Sequence, residues 1–268
     1  MNSLNRATCL LRNTALAGTI AAILALQSAS ADITIASGAT TNIDDSATTL
    51  VGTTKTFNET GICTLNDNSR LRANASQAGP TLSIVNNASI VFAGITPRLA
   101  FNDNDMDFVV NGPITNTSSG ATTLAISTGS SGNGDRESVT FNSGIPDVGD
   151  GSPLGVTISF RCQSGSQSWV NLNAVNTFTG PLTLAQGGGP AAGCLTIGGT
   201  ITHSSGNTSN GLGTLGNGIY PGAIALGSTT TLNYASSAAQ TLSGAISGIG
   251  FLQVTGSGRS IPSPGPSP

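Results

Sequence analysis

The chain has 268 residues, of which only 8% are charged and 4% aromatic; it carries 36 glycines and a formal net charge of −3. Charge lies far below the ~25% of an ordinary globular chain, yet 37% of residues are hydrophobic, which excludes the low-hydrophobicity, high-net-charge composition of a disordered chain. A single lysine, Lys55, and an acidic excess exclude nucleic-acid binding through clustered basic residues.

Residues 1–31 read as a cleaved secretory signal. Arg6 and Arg12 give a basic start, residues 15–26 an uncharged apolar core, and Gln27-Ser28-Ala29-Ser30-Ala31 a small-x-small site with cleavage expected before Asp32. The apolar run is too short to span a bilayer comfortably, and Cys9 precedes it, so Cys9 is not a lipidation cysteine. Removing Arg6 and Arg12 from the nine basic residues leaves seven against 12 acidic ones, a net −5. No later segment is apolar enough to cross a membrane as a helix.

After the signal, short apolar–polar alternations separated by Gly, Asn and Ser predict strands, with no helical period. In chain order they fall at 33–36, 81–86, 89–93, 106–110, 122–127, 138–141, 156–160, 169–172, 182–185, 195–198, 223–227, 230–234, 240–246 and 251–255. The segment 32–58 is expected to cap one end, with Asp44, Asp45, Lys55 and Glu59 discouraging edge pairing. Large aromatic side chains are expected to be few inside, with small β-compatible residues such as Thr, Val and Ile filling a narrow interior. Such spacing alone fits a sandwich, a barrel or a solenoid. Residues 259–268 hold four prolines and read as a disordered tail.

Residues 176–258 are more specific. They open Asn176-Thr177-Phe178-Thr179-Gly180, pass through Leu182-Thr183-Leu184 and Cys194-Leu195-Thr196-Ile197-Gly198, and reach Leu232-Asn233-Tyr234. They close on Gln240-Thr241-Leu242-Ser243-Gly244-Ala245-Ile246-Ser247-Gly248, then Leu252-Gln253-Val254-Thr255-Gly256-Ser257-Gly258. In order and spacing these blocks resemble the autotransporter-associated β-strand repeat of bacterial surface proteins, with an insertion around 187–193. A weaker echo occupies 111–116 and 124–129, so one architecture is expected across 32–258. The resemblance implies an all-β chain folded as a right-handed parallel β-helix (β-solenoid), displayed or secreted as a passenger-type segment. A complete autotransporter of that kind would carry a C-terminal outer-membrane β-barrel. This sequence contains none, so a truncated product or export by a separate machine is expected.

Chemical candidates are sparse. Asp103, Asp105 and Asp107 alternate on one face of a strand, roughly 6.5–7 Å apart, while Met106, Phe108 and Val110 face inward. That separation suits calcium or an inverting glycosidase pair; the reading preferred is a solvated acidic face. An EF-hand is excluded by Phe108 and Ile114 at the positions needing Gly and Glu. Gly132-Asn133-Gly134-Asp135 is similar to a calcium nonapeptide but has its aspartate one place early. Gly149-Asp150-Gly151-Ser152 superficially resembles a serine-protease loop, and His203 is the lone histidine. Trp169 is a candidate sugar platform, with core packing preferred. Cys63, Cys162 and Cys194 lack the spacing of a zinc site or disulfide framework; one pairing is open, and packing as small hydrophobes is preferred. Basic residues are few and scattered. The expected function is therefore a non-catalytic structural spacer or adhesin meeting host or cell-surface glycans or proteins, with no cofactor unless calcium. The alternative is a β-helix polysaccharide lyase or glycoside hydrolase.

Overall fold

The computed structural model describes residues 33–44, 54–57, 61–74, 82–102, 106–129, 136–161, 166–188, 192–200, 208–209, 211–258 and 260–261. The signal segment 1–31 lies outside them. The described chain is all-β, its one helical piece being the single turn Gly216–Gly218. Among the described residues no helix is long and apolar enough to cross a membrane.

Three parallel sheets take most of the strands. The first has four: Ile33–Ile35, Ile62–Leu65, Ser89–Phe92 and Ile114–Asn116. The second has eight: Thr40–Asp44, Arg70–Asn74, Arg98–Asn102, Thr122–Gly129, Leu154–Arg161, Leu182–Gly188, Ile224–Leu226 and Ile246–Gly248. The third also has eight: Thr54–Phe57, Leu82–Asn86, Met106–Val110, Arg136–Phe141, Gln167–Leu172, Ala192–Ile197, Thr230–Tyr234 and Phe251–Val254. Up to Asn116 the chain visits all three in the same cyclic order, beyond it the second and third alternate, and each strand pairs with the one a full pass away. That arrangement is compatible with a β-solenoid. A short parallel sheet (Ile219–Tyr220, Gln240–Leu242, Ser260–Ile261) serves the later passes, and the one antiparallel pair described is Gly199–Thr200 with Thr208–Ser209.

The passes are unequal in length. Side chains that bond between stacked passes are 24 residues apart at Asn111 and Asn87, 31 at Asn142 and Asn111, 42 at Ser228 and Gln186, and 22 at Thr255 and Asn233. What stays constant is the inner column. On the second sheet Leu71, Leu99, Ile126, Ile158, Leu184 and Leu226 stand in register, all buried. On the third, Phe108, Val139, Val170, Leu195 and Leu232 do the same. Burying one such side chain contributes about 1.5–3 kcal/mol, so the core is a sum of rungs.

Aromatics depart from expectation. Phe92, Phe101, Phe108, Phe141, Phe160, Phe178 and Tyr220 are among the largest fully buried side chains, so most of the described rings line the interior, while Phe251 is exposed and Trp169 half-buried. Phe101 and Phe108 lie 4.6 Å apart between centroids, and Phe178 meets Tyr220 edge-on at 5.6 Å. Room is made locally: a Cβ at Gly193 would fall 2.1 Å from Cγ of Phe160.

Other differences concern boundaries. The expected strand 240–246 divides into Gln240–Leu242 and Ile246–Gly248 in different sheets, with Gly244 at the corner between them. The segment expected to cap one end supplies the edge strand of each of the three sheets, at Ile33–Ile35, Thr40–Asp44 and Thr54–Phe57; of Asp45 and Glu59 nothing is described. At the other end Leu252 and Val254 are in register with the buried Leu232 and Tyr234, yet 37% and 47% exposed. Ser260–Ile261 pairs with Gln240 and Thr241; residues 262–268 lie outside the described set.

Corners are closed by backbone and amide chemistry. The turns from first to second sheet place Gly38, Asn68 and Gly120 at positive φ, as does Gly151 in the turn before Leu154–Arg161, where a residue other than Gly or Asn is strained. After the third sheet, Asn111 Nδ2 donates to Asn87 Oδ1 (3.1 Å), Asn142 to Asn111 (2.8 Å) and Asn173 to Asn142 (3.1 Å). This asparagine ladder gives each of four passes the same side-chain link.

Candidate functional site

The outward residues of the second sheet form the candidate site. Because side chains alternate across a strand, burial of Leu71 and Leu99 turns Arg70, Arg72 and Arg98 to the outer face, and burial of Ile158 and Phe160 does the same for Arg161. Parallel register makes Arg70 and Arg98 direct neighbours. These are all the arginines whose side chains are described.

Between Arg70, Arg98 and Arg161 lies a groove of about 470 Å³. Its floor carries Thr123, Ser127, Thr157 and Ser159, half-buried and outward-facing. The lining includes no carboxylate among the described residues. Among the described residues no ion pair or side-chain hydrogen bond engages Arg70, Arg98 or Arg161. The same face continues as a second depression of about 430 Å³ over Thr183, Ala185, Gln186, Ala225 and Ser228. One outer row runs in register through Arg70, Arg98, Ala125, Thr157, Thr183, Ala225 and Ser247. At ~4.8 Å per strand its six steps make a track of about 29 Å. Small side chains keep that track low, and the arginines rise at one end.

The residues singled out in the sequence do not converge there. Phe108 and Val110 are buried as expected, but Asp107 is only 8% exposed and accepts a hydrogen bond from the Ser138 hydroxyl. It is thus not a solvated face; Asp103 and Asp105 lie outside the described residues. Glu137, on the inner face with Val139 and Phe141, is fully buried and accepts a bond from the Gly129 amide at 2.6 Å. Among the described residues no three His, Cys, Asp or Glu side chains gather to hold a metal ion. The Gly132–Asp135 turn and His203 also lie outside.

Asp150 is a structural latch. Its carboxylate accepts from the Gly120 amide of the preceding pass (2.9 Å) and the Ser152 amide (2.8 Å). These bonds, the Gly120 one foremost, hold its carboxyl below the usual range. The sign is that of a depressed acid: the stabilisation is present at neutral pH and lost as pH falls through the lowered value. Trp169 is half-buried on the third sheet, in register with Ser138 and Cys194.

Cys63 and Cys194 are both free thiols; Cys162 lies outside. Burial pushes the Cys63 thiol up to about 12, and burial also raises Cys194, partly offset by a contact with the Thr196 hydroxyl. The thiolate is the reactive form, so Cys63 should resist a disulfide reagent such as DTNB at pH 8 until the chain unfolds. Fast native labelling at Cys63 would contradict its place in the core.

Thr179, Gly180 and Tyr220, by contrast, converge with Asp147 on one structural station. Between passes where the first sheet has no regular strand, Asp147 accepts from the Leu154 and Thr179 amides and the Thr179 hydroxyl, each at 2.8 Å. The Tyr220 hydroxyl donates to the Gly180 carbonyl; burial raises its pKa, and nearby Asp147 raises it further. No family model, no curated protein and no solved structure matches the chain.

Proposed function

We propose that this is a non-catalytic passenger-type protein, secreted or displayed at a bacterial surface, folded as a right-handed parallel β-helix and serving as a spacer or adhesin. The observation that carries the reading is the recurring order of strands among three parallel sheets, with inner and outer columns kept in register despite unequal passes. The signal-like residues 1–31 and the resemblance of 176–258 to autotransporter-associated repeats support export and display. Right-handedness follows the strong general preference of parallel crossover connections. The arginine groove favours holding a ligand over cleaving one, because proton transfer requires an acid or base within hydrogen-bond reach and the described residues of the groove lining include no carboxylate or histidine.

The test is export itself. Expressed in a Gram-negative host, the chain should be recovered outside the inner membrane beginning at Asp32, and it should release no new chain ends from acidic polysaccharides. Recovery only as an uncleaved cytosolic chain would overturn display. Steady release of unsaturated or reducing ends would favour the lyase or hydrolase instead.

A further inference from the structure

We infer that the groove between Arg70, Arg98 and Arg161 binds an extended acidic polysaccharide through its carboxylate groups. The inference rests on the display reading above and gives it a ligand class and a place. Charge is the first argument. The chain beyond residue 31 has 12 acidic against seven basic residues, yet every arginine with a described side chain lies on the outer face of one sheet. Three of them border one groove, in a protein whose overall charge would otherwise repel a polyanion.

The kind of charge is the second argument. A guanidinium presents a planar fork that matches a carboxylate with two parallel bonds, is weakly hydrated and never loses its proton. Arg70 and Arg98, on adjacent strands, can share successive carboxylates of one chain, while Arg161 flanks the groove two strands further on. Thr123, Ser127, Thr157 and Ser159 add hydroxyls that donate and accept, as the hydroxyl groups between carboxylates on a sugar chain require. The track of small residues beyond, from Ala125 to Ser247 and about 19 Å long, has room for a polymer to lie flat.

Nucleic acid fits less well. Single strands are held by aromatic platforms beneath the bases, and none of the described residues lining the groove is aromatic. A neutral glycan would leave three guanidinium groups unpaired.

The experiment immobilises polygalacturonate and measures binding of the exported chain at low salt, with dextran, dextran sulfate and oligothymidylate in parallel. Polygalacturonate should bind with an affinity that falls as salt rises, and dextran should not bind. Arg98→Gln should weaken binding roughly tenfold, since a charge-assisted pair is worth at least ~1.4 kcal/mol. Replacing Arg70, Arg98 and Arg161 together by Gln should abolish it. Arg98→Lys, which keeps charge but loses the fork, should still be weaker than the parent. Unchanged thermal melting of each variant shows that folding is not the cause. Undiminished binding by the triple variant would overturn the site. Equal binding of dextran, or tighter binding of oligothymidylate or dextran sulfate, would overturn the carboxylate assignment. Silent polygalacturonate with normal export sinks this inference alone; an uncleaved cytosolic chain sinks the display reading whatever the groove holds.

Discussion

Gly222→Val is expected to lower the melting temperature by at least ~8 °C and to undo the stacking of the passes beyond residue 211. A Cβ at Gly222 would lie 2.3 Å from the Gly180 carbonyl oxygen and 2.8 Å from that of Thr179. One pass further, a Cβ at Gly244 would lie 2.0 Å from the Gly222 carbonyl oxygen. Gly180, Gly222 and Gly244 therefore form a column of backbone on backbone, where nothing flexible can yield. Overpacking costs 1–3 kcal/mol when side chains can shift; with backbone on the other side a loss above ~4 kcal/mol is expected, and ~2–4 °C accompanies each kcal/mol in a chain of this size. Stacked passes contact mainly their neighbours, so amide protection should be lost after residue 211 and kept in the second and third sheets before 161. Gly120→Ala is the control. It has positive φ but open space around its Cβ, so only ~1–2 kcal/mol of strain is expected. A Gly222→Val chain melting within two or three degrees of the parent would rule out the close column.

That column explains which parts of the fold could be read from the sequence. Gly180 and Gly244 were visible as spaced glycines of a repeat, because a backbone contact tolerates no other residue and so marks the chain at each pass. Alternating strands such as Met106–Val110 and Thr230–Tyr234 were visible for the same kind of reason: one face is buried in every pass. Arg70–Asn74 and Arg98–Asn102 were not, since polar residues flank only one or two inward apolar positions and resemble turns. Their arginines looked scattered because passes range from 22 to 42 residues, so no fixed spacing announces a shared outer row. The asparagine ladder escaped for that reason too. Glu137 escaped for another: its parity puts it inside with Val139, but a carboxylate is ordinarily placed outside unless a buried donor such as the Gly129 amide is known.

Asn176→Ala is expected to destabilise the chain by about 3 kcal/mol, for what looks like a conservative loss of one small amide. Asn176 is fully buried. Its Oδ1 accepts from the Ile145 amide of the preceding pass (3.0 Å), and its Nδ2 donates to the carbonyls of Ala174 (2.8 Å) and, in the following pass, Thr214 (3.0 Å). One side chain thus ties three passes where no regular strand of the first sheet runs, and Gln240 repeats the device by pairing with both the amide and the carbonyl of Leu215. Alanine leaves the Ile145 amide buried without that acceptor, and such an orphan costs about 1–3 kcal/mol beyond the bonds themselves. The melting temperature should fall by ~6–12 °C. Asn176→Asp separates this account from simple packing, because it preserves volume and the acceptor for Ile145 but turns both donors into a carboxylate facing two carbonyls. Its folded-state pKa must then lie above the unfolded one, so at neutral pH it should be at least as damaging as alanine. It should recover stability as pH falls and the group regains a proton. Asn111→Ala, in the exposed ladder, should cost under ~1.5 kcal/mol, the ordinary worth of a hydrogen bond whose partners can turn to water. If the aspartate variant melts like the parent at pH 7, or shows no gain on acidification, Asn176 is a spacer and the amide bridge carries no weight.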